Sequence, residues 1–198
     1  MRPFLFTLLL LASYPLFARN TTFEKLQSIN RYWSQQPDVN RDALPECNEH
    51  SRSELISLHL QLVEQTLRKR DVSNLSASQR KNRSLALGYL HEYILAGRFP
   101  QNEDYNYPTP IFIDKHDNFC AVGYLVKATG HEAVSRMIAA KTNLAYVADM
   151  QYPELFAWAK EYGFTVSELE WIQPTYWTGG YVLDTVGKGV NGSVKELF

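Results

Sequence analysis

Five consecutive residues carry the densest chemistry in the chain: Asp114, Lys115, His116, Asp117 and Asn118. Two carboxylates, an imidazole and an amide so close together are the donor types of a hard-cation site or an acid–base pair. Asp114, His116 and Asp117 are the candidate catalytic residues of a hydrolase built on this turn, and a divalent metal is the cofactor it would use. The same residues also make ordinary turns, because Asp and Asn tolerate left-handed backbone and cap helices. The Asp-x-Asp-x-Asp-Gly spacing of a calcium loop is missing. Extra ligands would have to come from Glu103, Asp104 or His91. Read as a turn and a cap for the helix at Cys120, the segment needs no cofactor at all.

The flanking residues define what must hold this turn. Ile111, Phe112 and Ile113 form a short apolar run of strand type, predicting a strand or hairpin at 110–114. Phe119 to Val126 reads as a buried helix, and Gly130 stands where a left-handed C-terminal residue is expected. Before the turn, residues 98–109 form a long Pro-stiffened loop, and loops of that length are often functional. Tyr105 and Tyr107 in it, with His91 and Glu92 on the preceding helix, are candidates to rim a ligand groove. His91-Glu92 does not make a zinc-protease helix, because position 95 is Leu where a second His is required.

Helix signals recur along the rest of the chain. Phe23, Leu26, Ile29 and Trp33 share a helical face. Ser51/Glu54, Ser76/Gln79 and Thr165/Glu168 are capping boxes. The helix after Ser76 is predicted to be central and to stop at Gly97, with Leu85, Ala86, Tyr89, Leu90, Tyr93 and Ile94 on its packing arc. His59 lies beside the apolar stripe of the preceding helix, which predicts a hydrogen-bonded rim histidine. Arg68-Lys69-Arg70 reads as a solvated helix end. Residues 143–150 fit either a strand or a helical turn. The fold class is mainly α: a compact multi-helix domain over residues 19–177, with residues 178–198 as a loosely ordered tail.

Arg2, the apolar run from Phe4 to Leu11 and the small residue Ala18 make a signal-peptide pattern over residues 1–18. The protein is expected to be secreted or periplasmic, with no transmembrane segment after cleavage. Two cysteines, Cys47 and Cys120, in an exported chain predict one disulfide, worth ~4 kcal/mol in the chain-entropy model. The rival role for Cys120 is a nucleophile at a helix start. With 20 basic and 21 acidic residues and no basic stripe, nucleic acid is not an expected partner. A protein, peptide or glycan is.

The run FIDKHDNFCAVGYLVKATG, then AYVADM, then PELFAWAKEYGFTVSELEWIQPTYW, resembles an uncharacterised family of secreted bacterial domains. It covers about the second half of the mature chain. CAVGYL and IQPTY are its more specific words. The resemblance implies a bacterial exported protein with no agreed activity. That family often carries glycine where this chain has Asp117 or Asn118, which argues against a family-wide active site at His116 and Asp117. Absence of any complete nucleophile–base set favours an exported, non-catalytic binding or structural domain; the hydrolase on the turn is the alternative.

Overall fold

A computed structural model describes residues 21–37, 39–47 and 51–177. Residues 1–18, expected from sequence to be a signal peptide, and the predicted tail 178–198 lie outside them. The described chain is mainly helical, and its helices follow from the caps. Helix α1 is Thr21–Ile29, α2 Arg52–Lys69, α3 Ala77–Ala96, α4 Ala121–Val126, α5 Glu132–Thr142, α6 Pro153–Glu161 and α7 Val166–Ile172. All three capping boxes form, at Ser51/Glu54, Ser76/Gln79 and Thr165/Glu168. Gly97 ends α3 in the left-handed region, at φ 61°. Gly130, at φ 90°, breaks the helical backbone inside the π-turn Lys127–His131 that joins α4 to α5. Among the described residues no helix is long and apolar enough to cross a membrane.

Helix α3 packs on α2 and α4, α4 packs on α5 and α7, and α7 also meets α2 and α6. The core is unusually aromatic. Trp33 and Trp171 meet edge to face at 5.1 Å, and Trp158 stacks on Phe164 at 5.9 Å. Such offset and edge contacts add to the area they bury. Leu85, placed on the packing arc by spacing, is instead half exposed, and Tyr89 is only partly buried. That arc is wider than the surface α2 and α4 cover.

The first helix stops earlier than its periodicity suggests. Asn30 adopts extended backbone, and its side chain caps the 3₁₀ turn Arg31–Gln35 through the Tyr32 N–H. Its amide nitrogen also donates to the carbonyls of Glu170, Trp171 and Gln173. The Gln173–Tyr176 segment then threads back through the molecule. Gln173 brackets residues 145–147 with both ends of its amide, Thr175 bonds the Ile29 carbonyl, and Tyr176 pairs with Thr109. The IQPTY word is thus a clasp between distant elements. Residues 147–149, ambiguous in sequence, form a 3₁₀ turn.

His59 is in the core, not at the rim: it is fully buried, with Nδ1 accepting the Trp33 Nε1–H at 2.9 Å. The partner comes from the far end of the α1 region, which helix spacing within α2 does not reveal. The predicted disulfide is not formed. Cys47 is held beside α1, its carbonyl accepting Lys25 Nζ. Cys120 is fully buried as the N-cap of α4, its Sγ accepting the Gly123 N–H at 3.3 Å. Cys47 is thus held in the loop before α2 and tied to α1, while Cys120 is committed to α4.

Candidate functional site

The turn 114–118 is a tight hairpin end, closed by one antiparallel bridge between Ile113 and Phe119. The apolar run before it makes isolated bridges and no longer strand among the described residues. Phe112 takes the place of a second pair: its N–H donates to the Asn143 carbonyl, and its own carbonyl accepts the Cys120 N–H. Asn143 also clamps Ile113 by giving and receiving through its side-chain amide. This fixes the hairpin against α5 and α4.

Asp114 organises the turn from within. Its Oδ1 accepts the backbone N–H groups of His116 and Asn118, each at 2.9 Å. Its Oδ2 accepts the Gln101 N–H and the Asn118 side-chain amide, also at 2.9 Å. Burial pushes this carboxyl up, but the four donors outweigh it and hold it below the usual carboxylate range. Asp114, not Asp117 or Asn118, is the residue on which the local structure depends, and the cap of α4 is Cys120. Both Asp114 oxygens are engaged in these structural hydrogen bonds. Asp114→Ala is therefore expected to cost about 1–3 kcal/mol by stranding these donors, measured by urea unfolding. A variant of undiminished stability would contradict the structural role.

The other polar residues of the turn are paired outward. Asp117 stands at φ 62°, the conformation glycine adopts most easily. Its carboxylate takes both Nη groups of Arg136, at 2.8 and 3.1 Å, and that contact lowers its pKa. His116 Nε2 lies 3.0 Å from Glu103 Oε1, and Lys115 Nζ lies 2.5 Å from Glu103 Oε2. Those two contacts draw the Glu103 carboxyl down and raise the Lys115 ammonium. Asp114, His116 and Asp117 are neighbours in the chain but point to three different partners. Among the described residues, no group of three or more His, Cys, Asp or Glu side chains is arranged to hold a metal ion.

Cys120 is not an activated thiol. Burial pushes it up to about 12, against the pull of the Gly123 and Val122 N–H groups. A six-residue helix with no solvent at its first turn cannot offset that desolvation.

Beside the turn lies a cleft of about 520 Å³, lined by the end of α3, by residues 116–119 and by α4 with Lys127. Its aromatic wall is Tyr93, Phe119 and Tyr124. Tyr93 is buried and donates its hydroxyl to the Phe119 carbonyl, and its ring packs 4.9 Å from that of the half-buried Tyr124. Its cations are Arg98 and Lys127. Arg98 is exposed and meets no acceptor or ion-pair partner among the described residues. Lys127 sits 4.2 Å over the Phe119 ring and only 3.9 Å from Glu132. Asp117 is the one carboxylate of this lining, and Arg136 already neutralises it.

The groove residues expected from sequence are placed elsewhere. His91 pairs with the buried Glu64 of α2 at 3.1 Å, and Glu92 is exposed beside it in sequence on α3. Tyr105 and Tyr107 pack on each other at 5.7 Å on the far part of the 98–109 loop. That loop is stitched down by Asn102, which is buried and donates to the Tyr107 and Tyr176 carbonyls. None of the four lines the cleft. Arg98, Tyr124 and Lys127, which do, are single residues on separate elements and carry no motif. No protein-family model, no curated protein and no solved structure matches this chain.

Proposed function

We propose that this protein is an exported, non-catalytic binding module, and that the cleft beside the 114–118 turn is its ligand site. One observation carries the reading. The turn's own polar groups are consumed by internal pairs, whereas Arg98 at the cleft edge has no partner among the described residues and Lys127 makes only a long 3.9 Å ion pair and a contact with the Phe119 ring. Two under-used cations beside an aromatic wall suit an anionic ligand with a flat face to lay on Tyr124. The cleft volume is in the range of small-ligand sites. An acidic sugar is the simplest molecule with both features. Export rests on the pattern of residues 2–18.

Calorimetric titration with matched neutral and acidic sugar oligomers tests this. The acidic series is expected to bind, and the neutral series to bind at least tenfold more weakly, since a charge-assisted hydrogen bond contributes about 1.5–3 kcal/mol. Added salt should weaken the acidic series. Equal binding of the two series, or steady turnover of either that Asp114→Ala abolishes without unfolding the protein, would overturn the proposal.

A further inference from the structure

A second site lies on the opposite side of α3 from the turn's chemistry, where the end of α2, the 70–72 connection and the first half of α3 enclose a pocket of about 180 Å³. Four arginines line it, Arg68, Arg70, Arg80 and Arg83, and no carboxylate does. The sequence suggests only a basic helix end at 68–70; the other two arginines arrive from α3. Glu64 and Glu168 pair with three of the arginines. Glu64 takes Arg68 Nε at 2.8 Å while also holding His91. Glu168 takes Arg83 and Arg70 at 2.8 and 3.2 Å. The pocket wall itself is thus lined by cationic side chains, with the pairing carboxylates set behind it.

The donors are not exhausted by these pairs. Arg83 is buried and rigidly held: one Nη bonds Glu168 and the Gly163 carbonyl, and the other bonds Glu168 and the Leu67 carbonyl. Its Nε–H is left over, with no acceptor among the described residues. Arg68 commits only Nε, to Glu64, and Arg80 commits one Nη to the Leu75 carbonyl. Their remaining N–H groups likewise meet no acceptor among the described residues. Ser84 adds a hydroxyl to the same wall, and Leu67, Val72 and Leu87 form its apolar part.

We infer that this pocket binds a tetrahedral oxyanion, a phosphate or sulfate group. Guanidinium forks arriving from two helices and a connection surround a tetrahedral group better than a planar carboxylate, which one fork satisfies. The pocket has room for such a group, either as the free ion or as the terminal group of a larger molecule. Arg83, fixed by Glu168, is a preformed wall, and Arg68 and Arg80 are the adjustable donors.

The test is amide NMR of the purified protein titrated with inorganic phosphate and with sulfate, each against chloride at equal ionic strength. Shifts are expected at residues 67–72 and 80–87, and Arg68→Gln combined with Arg80→Gln should weaken binding at least tenfold. These two side chains are exposed, so the fold should survive their loss; the wild-type titration stands by itself if it does not. A sugar phosphate binding more tightly than inorganic phosphate identifies a group carried on a larger molecule, and equal binding identifies the free ion. Both results support the inference. Shifts no larger than those from chloride, shifts confined to the cleft at Arg98, or unchanged binding in the double variant would overturn it.

Discussion

Glu168→Ala is expected to destabilise the fold by about 3–5 kcal/mol, because it leaves a buried guanidinium without its counter-charge. Arg83 is 4% exposed, and both its Nη groups rest on Glu168. Glu168 also closes the capping box of α7 and takes a bond from Arg70. A loss of this size is a large part of the roughly 5–15 kcal/mol that holds a domain together. Glu168→Gln separates the two roles, since glutamine closes a capping box but brings no charge. Most of the loss should persist in it, as read by urea unfolding. Burial pushes the Glu168 carboxyl up, yet Arg83 and Arg70 hold it below its ordinary value. Its contribution is therefore full above the unfolded carboxyl pKa and is lost as pH falls through the folded one. An alanine variant within about 1 kcal/mol of wild type would show that Arg83 finds water or another acceptor.

Acidification between pH 6.5 and 5 is expected to cost about 2 kcal/mol through His59 alone. Burial drives its pKa down to about 3, although the backbone of Ile172 and Trp171 opposes the shift. The unfolded histidine takes up a proton near pH 6.5, and the folded one does not until far lower. Stability thus falls at about 1.4 kcal/mol per pH unit as pH drops below 6.5, and the fall stops only near the folded value. Carboxylates with lowered values add their losses at lower pH, and burial raises the Glu170 carboxyl towards this window, so the histidine is isolated by comparing wild type with a variant that lacks it. His59→Gln keeps an acceptor for Trp33 Nε1–H and cannot titrate. Its urea midpoint should fall much less between pH 6.5 and 5 than that of wild type. Parallel slopes would show that His59 is not the source.

What the sequence made legible was local. Ser51, Ser76 and Thr165 each bond within their own first turn, so a capping box is readable from four residues, and all three formed. Gly97 and Gly130 were readable for the same reason. The misreadings are long-range. His59 became a core residue through a bond from Trp33. Cys120 was absorbed as a cap while Cys47 was held at α1. The polar turn was correctly located, but its meaning depends on Gln101 and Arg136, distant residues that hydrogen-bond Asp114 and Asp117. Those partners turn Asp114 and Asp117 towards different parts of the fold. Arg98 and Lys127 were invisible because an isolated cation carries no pattern; only the folded hairpin brings them to one cleft. The IQPTY segment likewise acts through packing, by way of Gln173, Thr175 and Tyr176.

The most direct measurement is the amide NMR footprint of an acidic sugar oligomer on this protein, with and without Arg98→Ala and Lys127→Ala combined. Shifts clustered at residues 93–98 and 116–127 that vanish in the double variant are the predicted result. No shifts with any acidic oligomer, or shifts that the double variant leaves unchanged, would contradict the assignment of the cleft as the binding site.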